Sequence, residues 1–399
     1  MSERASVIYP FHNLQEEGWG NSLRASLLIR YLSEIASSVE TLSVGQRATA
    51  ERRGNVRHIG VAAPAWRTSM ERWRLRLTRL GAGRDAAFAT SVEARFDEPR
   101  TLTGFDAALR AVVANSDVAF VEYPFWMPYV APVCRDAGIP VVLTLHDIHA
   151  QAHQAQPIVA ERIARRELDA TRLADAVFCV SAEDRAYLAA HGIDAALAIN
   201  PIARDACRSA SPEATLALRE RYGLGTGPLC MFVGSRVVPN FEAAAALERI
   251  APQLPDCTFV IAGRCVTRGR HANVVRLGFL DGAELEALYS AADAVVLPLS
   301  SGTGTSLKFV EALAYGKAIV ATATGARGYE AESGVHAHVV PDVASVPAGL
   351  RRVLDDAMYR ITLEAGARML ATRYDFHTVF EPYGAWLRRG RTHLTAGAM

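Results

Sequence analysis

Lysine is nearly missing from this chain. There are 43 Lys+Arg among 399 residues, yet only Lys308 and Lys317 are lysine. Cysteine pairs of the C-x-x-C type are also missing: the six cysteines (134, 179, 207, 230, 257 and 265) are scattered, several within apolar strand-like runs. That spacing argues against a disulfide framework or a zinc site and suits buried, reduced thiols. No apolar run is long enough to span a bilayer, and the N-terminal stretch lacks a signal peptide's basic start and long apolar core. A cytoplasmic protein is the expectation. The net charge of +1 gives no overall field for nucleic acid, and no repeat of solenoid period is present.

What is there suits a soluble α/β protein of two domains, each long enough to bury its own core. The most informative stretch runs from Ser300 to Gly316. Strand-like Ala294–Pro298 precedes it and strand-like Ala318–Thr322 follows. Between them Leu307, Val310, Glu311, Ala314 and Tyr315 recur at helical spacing, and Gly316 is a stop signal. The unit reads strand, glycine-rich turn, helix, strand. Small residues at 302–306 let a ligand approach the backbone, and the free N–H groups of the helix's first turn attract an anion. Lys308 sits in that turn, where a cation is unfavourable against the helix dipole unless an anion joins it. Glu311, one turn on, offers a carboxylate for hydroxyls. The plainer alternative for Lys308 is chance placement on a solvated helix end; for Lys317, beyond the helix-ending glycine, the plainer placement is preferred.

The rest of the chain alternates. Ser6–Phe11 reads as a strand, followed by a turn with Gly18, Gly20 and Asn21 and a helix with Leu23, Leu27, Leu28, Tyr31 and Leu32 on one face. Only two glycines of the dinucleotide fingerprint are present, so a nicotinamide cofactor is poorly supported. Strands follow at Val39–Val44, Val56–Ala62, Val118–Tyr123 and Pro140–Leu145, the last ending in His146-Asp147. Ligands bind at that carboxyl edge in open α/β sheets. His149 and His153 follow, but without a fourth ligand a metal site is disfavoured. Asn200–Pro212 lacks periodicity and is the best domain boundary. The alternation restarts with Leu229–Gly234, and Arg236 follows the strand end, where a guanidinium can meet a diphosphate; a surface salt bridge is its alternative. A Pro239-Asn240 turn and a helix from Phe241 come next.

The 300–316 stretch resembles the nucleotide-sugar-binding segment of GT-B fold glycosyltransferases, specifically the retaining family 4 (group 1) enzymes. Their signature has two acids eight positions apart. Glu311 matches the second, which in the family holds ribose hydroxyls, while the first falls at Thr303. A subset of the family instead reads Gly-x-Gly-Thr-x-Leu-Lys-x-x-Glu-Ala, and this chain fits that variant. The resemblance implies two Rossmann-like domains with a cleft between them: 1–203 for the acceptor, 204–374 for the donor, and 375–399 as a helix crossing back onto the first domain. It implies His146 facing the donor sugar and Arg236 and Lys308 on the diphosphate, these three being the catalytic group. Gly18, Gly20 and Asn21 would reach toward donor phosphates and acceptor, although a plain tight turn is the rival reading. Asp147, Gly302, Thr303, Gly304, Thr305, Ser306, Leu307 and Glu311 would bind substrate, with Gly278 and Phe279 at the base.

The implied reaction moves a sugar from a nucleotide-diphosphate sugar to an acceptor hydroxyl with retention, in bacterial polysaccharide, glycolipid or glycoconjugate biosynthesis. The donor is a co-substrate, so no cofactor and no metal are expected, and the acceptor is a glycan, a lipid-linked sugar or a small molecule. Two rivals stand beside it. A sugar-nucleotide epimerase would want further acids near the sugar, and Thr303 argues against it. A catalytically silent GT-B protein binding sugar nucleotide or glycan within an assembly is kept alive by the missing first acid.

One further segment bears on partners. Trp66, Met70, Trp73, Leu77 and Leu80 form one helical face, with Arg72, Arg76 and Arg79 away from it. Such a helix either lies on an anionic membrane, as a peripheral contact, or packs on its own domain. On the first reading the protein sediments with anionic vesicles and salt releases it, because surface attraction is screened within about 10 Å at 0.1 M. Replacing Arg72, Arg76 and Arg79 together with Gln then abolishes sedimentation. Equal recovery with neutral and anionic vesicles, or none with either, returns the helix to packing.

Overall fold

A computed structural model describes residues 3–11, 20–45, 47–62, 92–152, 157–266, 269, 271–302 and 304–390. The chain divides into two compact units, residues 1–199 with 380–399, and residues 200–379. The turn at Gly18, Thr303, His153 and the helix around Trp73 lie outside the described residues.

Eight strands build the first unit: β1 (Arg4–Tyr9), β2 (Ser38–Gly45), β3 (Thr49–Arg53), β4 (Val56–Ala62), β5 (Val118–Glu122), β6 (Val141–Leu145), β7 (Ala176–Cys179) and β8 (Ala196–Leu197). Their order is β3-β4-β2-β1-β5-β6-β7-β8, parallel except for β3 against β4. The apolar runs at β5 and β6 are buried at every position, as a strand covered on both faces requires. β3 has no counterpart in the sequence reading. All five of its residues are exposed, so it shows no apolar period, and its Glu51, Arg52 and Arg53 suit a charged sheet edge.

Helix α1 (Gly20–Ile35) follows β1. Gly20 and Asn21, placed in a turn by the sequence, are its first two residues. Its buried face also differs from the sequence reading. Leu23 is 37% exposed, whereas Arg24 is 1% exposed and shares the inner stripe with Leu27, Leu28, Tyr31 and Leu32. Residues 24, 27, 28, 31 and 32 keep the 3.6-residue period, and an arginine can occupy the inner face because it finds partners there. Helix α2 (Ala182–Ala190) follows β7, its N-cap Ser181 accepting a hydrogen bond from Asp184 N.

The second unit has six strands, all parallel: β9 (Leu229–Gly234), β10 (Thr258–Gly263), β11 (Val274–Arg276), β12 (Ala294–Leu297), β13 (Ile319–Thr322) and β14 (His338–Val340). Their order, β11-β10-β9-β12-β13-β14, is the 3-2-1-4-5-6 of the Rossmann sheet. Helix α3 (Val238–Ile250) starts three residues earlier than the sequence suggested. Pro239 lies within its first turn, where its missing N–H costs nothing and its fixed φ suits the helix. Helices α4 (Gly282–Ala291) and α5 (Leu307–Ala314) flank β12 in sequence, and α6 (Phe376–Arg389) ends the described chain.

The unit boundaries fall at 199/200 and 379/380, a few residues from the 203/204 and 374/375 of the sequence reading. Main-chain hydrogen bonds explain the shift. Ile202 N donates to Tyr374 O at 2.9 Å and Phe376 N to Ile202 O at 3.1 Å, tying both connecting segments into the second unit. From Phe380 onward α6 belongs to the first unit, where Tyr383 is fully buried and stacks on Phe178 at 4.3 Å.

In both sheets the order reverses beside the first strand, between β1 and β5 and between β9 and β12. Crevices open at the carboxyl ends of the strands at such points. Backbones crowd together at this edge of the second unit. Gly263 has φ +90°, and a Cβ there would lie 2.4 Å from Gly234 O. Gly263→Ala therefore carries both a strained φ and a backbone clash, with an expected cost of about 1–3 kcal/mol. Thermal melting should register a drop of several degrees; an unchanged melting temperature would show that this edge yields freely.

Candidate functional site

The loop from β12 to α5 sits at the second unit's reversal point. Gly302 and Gly304 have φ of 133° and 61°, values that disfavour a side chain. Several side chains brace this loop. Arg327 Nε donates to Gly304 O at 2.9 Å, and Ser306 N donates to Arg327 O at 3.2 Å. Thr322 Oγ1 donates to Leu299 O at 2.6 Å. Asn200 Nδ2 donates to Thr305 Oγ1 at 2.8 Å, so the Thr305 oxygen helps to support the loop as an acceptor. Ser301 Oγ donates to Glu242 at 2.6 Å.

Helix α5 begins at this loop. Its N-cap, Ser306, makes no side-chain capping bond, and among the described residues the buried Ser306 hydroxyl has no hydrogen-bond partner. A buried hydroxyl left unpaired at a helix N-terminus fits an incoming acceptor. Leu307 and Lys308 open the helix, both half-buried. Burial and the neighbouring Arg327 guanidinium hold the Lys308 ammonium below the usual lysine range, against the pull of Cys265 and Glu311. Glu311, also half-buried, is pushed up by burial, while a hydrogen bond with the Tyr289 hydroxyl and the charge of Lys308 act the other way. Tyr289 in turn stacks on Tyr315 at 4.0 Å. A cation and a carboxylate one turn apart, both perturbed by burial, are what an anion with attached hydroxyls would meet.

Arg236 is exposed just past β9, and no ion pair engages it among the described residues. Asn240 holds its turn, donating to Ser235 O at 2.9 Å. Gly278 accepts a hydrogen bond from Gly263 N at 2.8 Å, and Phe279 is 60% exposed with the Arg264 guanidinium 5.5 Å above its ring. Lys317 donates to Ala292 O at 2.8 Å, a structural duty.

In the first unit, His146 and Asp147 lie past the end of β6. His146 Nε2 is hydrogen-bonded to Glu122, at the end of β5, and Arg24 Nε lies 3.7 Å from the same carboxylate oxygen. Tyr123 stacks on the His146 ring at 4.1 Å. His149 turns elsewhere: its Nδ1 is 2.9 Å from Glu167, which also accepts from His149 N and Ala150 N. Burial lowers the His149 pKa, but Glu167 and Asp147 outweigh it and raise the net value. Asp184 is pushed up to about 6 by burial, with Asp147 among the neighbouring charges that add to the shift. Among the described residues no three His, Cys, Asp or Glu side chains converge as a metal site. Nor is any described helix long and apolar enough to cross a membrane.

Both halves of the chain match glycosyltransferase family models: residues 53–201 that of Glycosyltransferase Family 4, and residues 227–356 that of Glycosyl transferases group 1. The fold is shared with sucrose-phosphate synthase from Thermosynechococcus elongatus, at TM-score 0.72 and 16% identity over 99% of this chain and 100% of that one. The chain is similar to the group 1 glycosyltransferases and has the fold of GT-B glycosyltransferase structures. Among curated relatives, the α-D-kanosaminyltransferase of Streptomyces kanamyceticus is 28% identical over 281 residues, 63% of this chain and 69% of that protein. The glycogen synthase of Mycobacterium tuberculosis is 34% identical over 152 residues, but only 35% of this chain and 36% of that enzyme are aligned.

Within this glycosyltransferase the sequence missed Arg24, Asn200 and Arg327. Arg24 was legible only as a charge on an apolar helical stripe; Asn200 and Arg327 leave no local pattern at all. Lys308 lends itself to a stability test. Its folded-state pKa lies below the 10.5 of a free lysine, so folding carries a penalty at neutral pH that fades as pH rises toward 10.5. Lys308→Met should therefore melt at the same or a higher temperature than the parent at pH 7, with the gap closing toward pH 10. A lower melting temperature at pH 7 would mean that Lys308 supports the unliganded fold.

Proposed function

We propose that this glycosyltransferase moves a sugar from a nucleotide-diphosphate sugar to an acceptor hydroxyl with retention of anomeric configuration. One observation carries the reading: at the carboxyl edge of a Rossmann sheet, Lys308 opens a helix beside the unpartnered Ser306 hydroxyl, with Glu311 one turn further on. Diphosphate binding suits the first part and ribose hydroxyls the second. Relatives support the donor class. HepE of Anabaena, with TM-score 0.68 and 16% identity over 96% of this chain and 99% of that one, is described in complex with UDP and glucose. A mannosyltransferase of Mycolicibacterium smegmatis, 27% identical over 54% of this chain and 62% of its own length, is named as GDP-mannose-dependent.

Departure of the nucleoside diphosphate creates negative charge. Lys308 and Arg236 stabilise that charge as it develops, together with the N-terminus of α5, without a metal. The departing phosphate takes the acceptor proton, and His146 orients a substrate hydroxyl. The acceptor is a glycan, a lipid-linked sugar or a small hydroxyl compound, and the setting is bacterial glycan or glycoconjugate synthesis at or near the cytoplasmic face of a membrane.

Glu311→Gln tests the ribose assignment. The amide loses charge-assisted hydrogen bonds worth about 1.5–3 kcal/mol each, so UDP and GDP should bind at least about tenfold more weakly by calorimetry. If whichever nucleotide the parent binds is held as tightly by the variant, the ribose contact lies elsewhere.

A further inference from the structure

We propose that Glu122 and Arg24 together set the tautomer of His146, placing its proton on Nε2 and leaving Nδ1 as a bare acceptor for a substrate hydroxyl. The inference deepens the glycosyl-transfer reading and rests on it for the identity of that hydroxyl.

Glu122 is 0% and His146 6% exposed, so this hydrogen bond is shielded from water. Burial raises the Glu122 pKa, but the charge and hydrogen bond of His146, the charge of Arg24 and a hydrogen bond with Thr144 together lower it below the usual carboxylate range. An ionised carboxylate only accepts hydrogen bonds. The nitrogen facing it, Nε2, must then carry the hydrogen. In the neutral imidazole that leaves Nδ1 with its lone pair.

Arg24 makes this arrangement possible without taking it over. Its Nη1 donates to Ile199 O at 3.2 Å and its Nη2 to Tyr383 Oη at 2.8 Å, and the guanidinium lies 5.1 Å from the Phe380 ring centroid. Arg24 Nε, by contrast, makes no hydrogen bond among the described residues and stands 3.7 Å from the Glu122 oxygen. A carboxylate serving simply as the arginine's partner would form the paired, two-bond contact that guanidinium geometry favours. Here it turns to the imidazole instead. Arg24 thus supplies compensating charge while Glu122 directs its hydrogen bond at His146.

The ring face is held as well. Tyr123 stacks on His146 with 14° between the planes. Among the described residues Tyr123 is also the only non-glycine with positive φ, at 72°. That backbone is disfavoured and persists where its surroundings over-determine it. Edge and face together leave the imidazole one orientation, which a hydroxyl-orienting acceptor needs.

Histidine 15N NMR of the unliganded protein at pH 8, with His146→Gln to assign the signal, reads the tautomer without any substrate. A proton on Nε2 is expected; a proton on Nδ1 overturns the proposal. Turnover supplies the second arm. Glu122→Gln should lower kcat by about 10- to 100-fold, the scale of losing a partner that orients a functional imidazole. Because that variant leaves Arg24 buried without its counter-charge, Arg24→Met/Glu122→Gln is measured alongside. The double variant should recover the parent's melting temperature but not its kcat. Recovery of both would make Glu122 a mere counter-ion for Arg24 and sink the proposal. A parent that transfers no sugar from any nucleotide sugar would defeat the glycosyl-transfer reading alone, and the NMR arm would still decide the tautomer.

Discussion

Charge held out of water at the carboxyl ends of parallel strands is the constraint around which each unit is arranged. The Glu122 carboxylate, wholly buried, is tolerable only with compensating charge nearby. Arg24 supplies it from α1, and the guanidinium in turn needs Ile199 O and Tyr383 Oη. Thr144 Oγ1 meets the same Tyr383 hydroxyl at 2.9 Å. The last helix is thereby fastened to the first unit through a polar network as well as through its apolar residues. Removing any one member leaves another buried polar group without a partner, which costs more than the bond itself gained.

The second unit handles charge differently. Lys308 and Glu311 are only half-buried and are shifted in opposite directions, the ammonium down and the carboxyl up. Each is less stable in its charged form than it would be in water. A bound anion with hydroxyl groups would relieve both. Part of the surrounding loop is already tied, Gly304 O by Arg327, Leu299 O by Thr322 and the Thr305 hydroxyl by Asn200, which would lower the ordering cost of a ligand bound there.

Much of this was legible from residue order. Continuous apolar runs gave away β5, β6, β9 and β12, because a parallel strand covered on both faces has no polar alternation. The strand–glycine–helix pattern at 294–316 matched β12, its loop and α5, and near-absence of lysine elsewhere drew attention to Lys308. Such features are local: each depends on residues within a few positions of one another. The charged edge strand β3 escaped for the opposite reason, since with every residue exposed it carries no period to read.

By itself the sequence determined the alternating α/β framework, the site of the glycine-rich turn and the chemical character of its residues. Tertiary structure alone decided which side chains meet. Arg24 and Glu122 are 98 positions apart in numbering, yet they share one buried oxygen contact because the sheet order sets β5 beside β1 and α1 follows β1. The sequence singled out His146 as a strand-end histidine, but its partners Glu122 and Tyr123 come from the neighbouring strand's end, fixed by the register of β5 against β6. Periodicity can show that a residue faces inward. It cannot show what waits there, because that depends on pairings between strands whose order is set by the packing of the whole sheet.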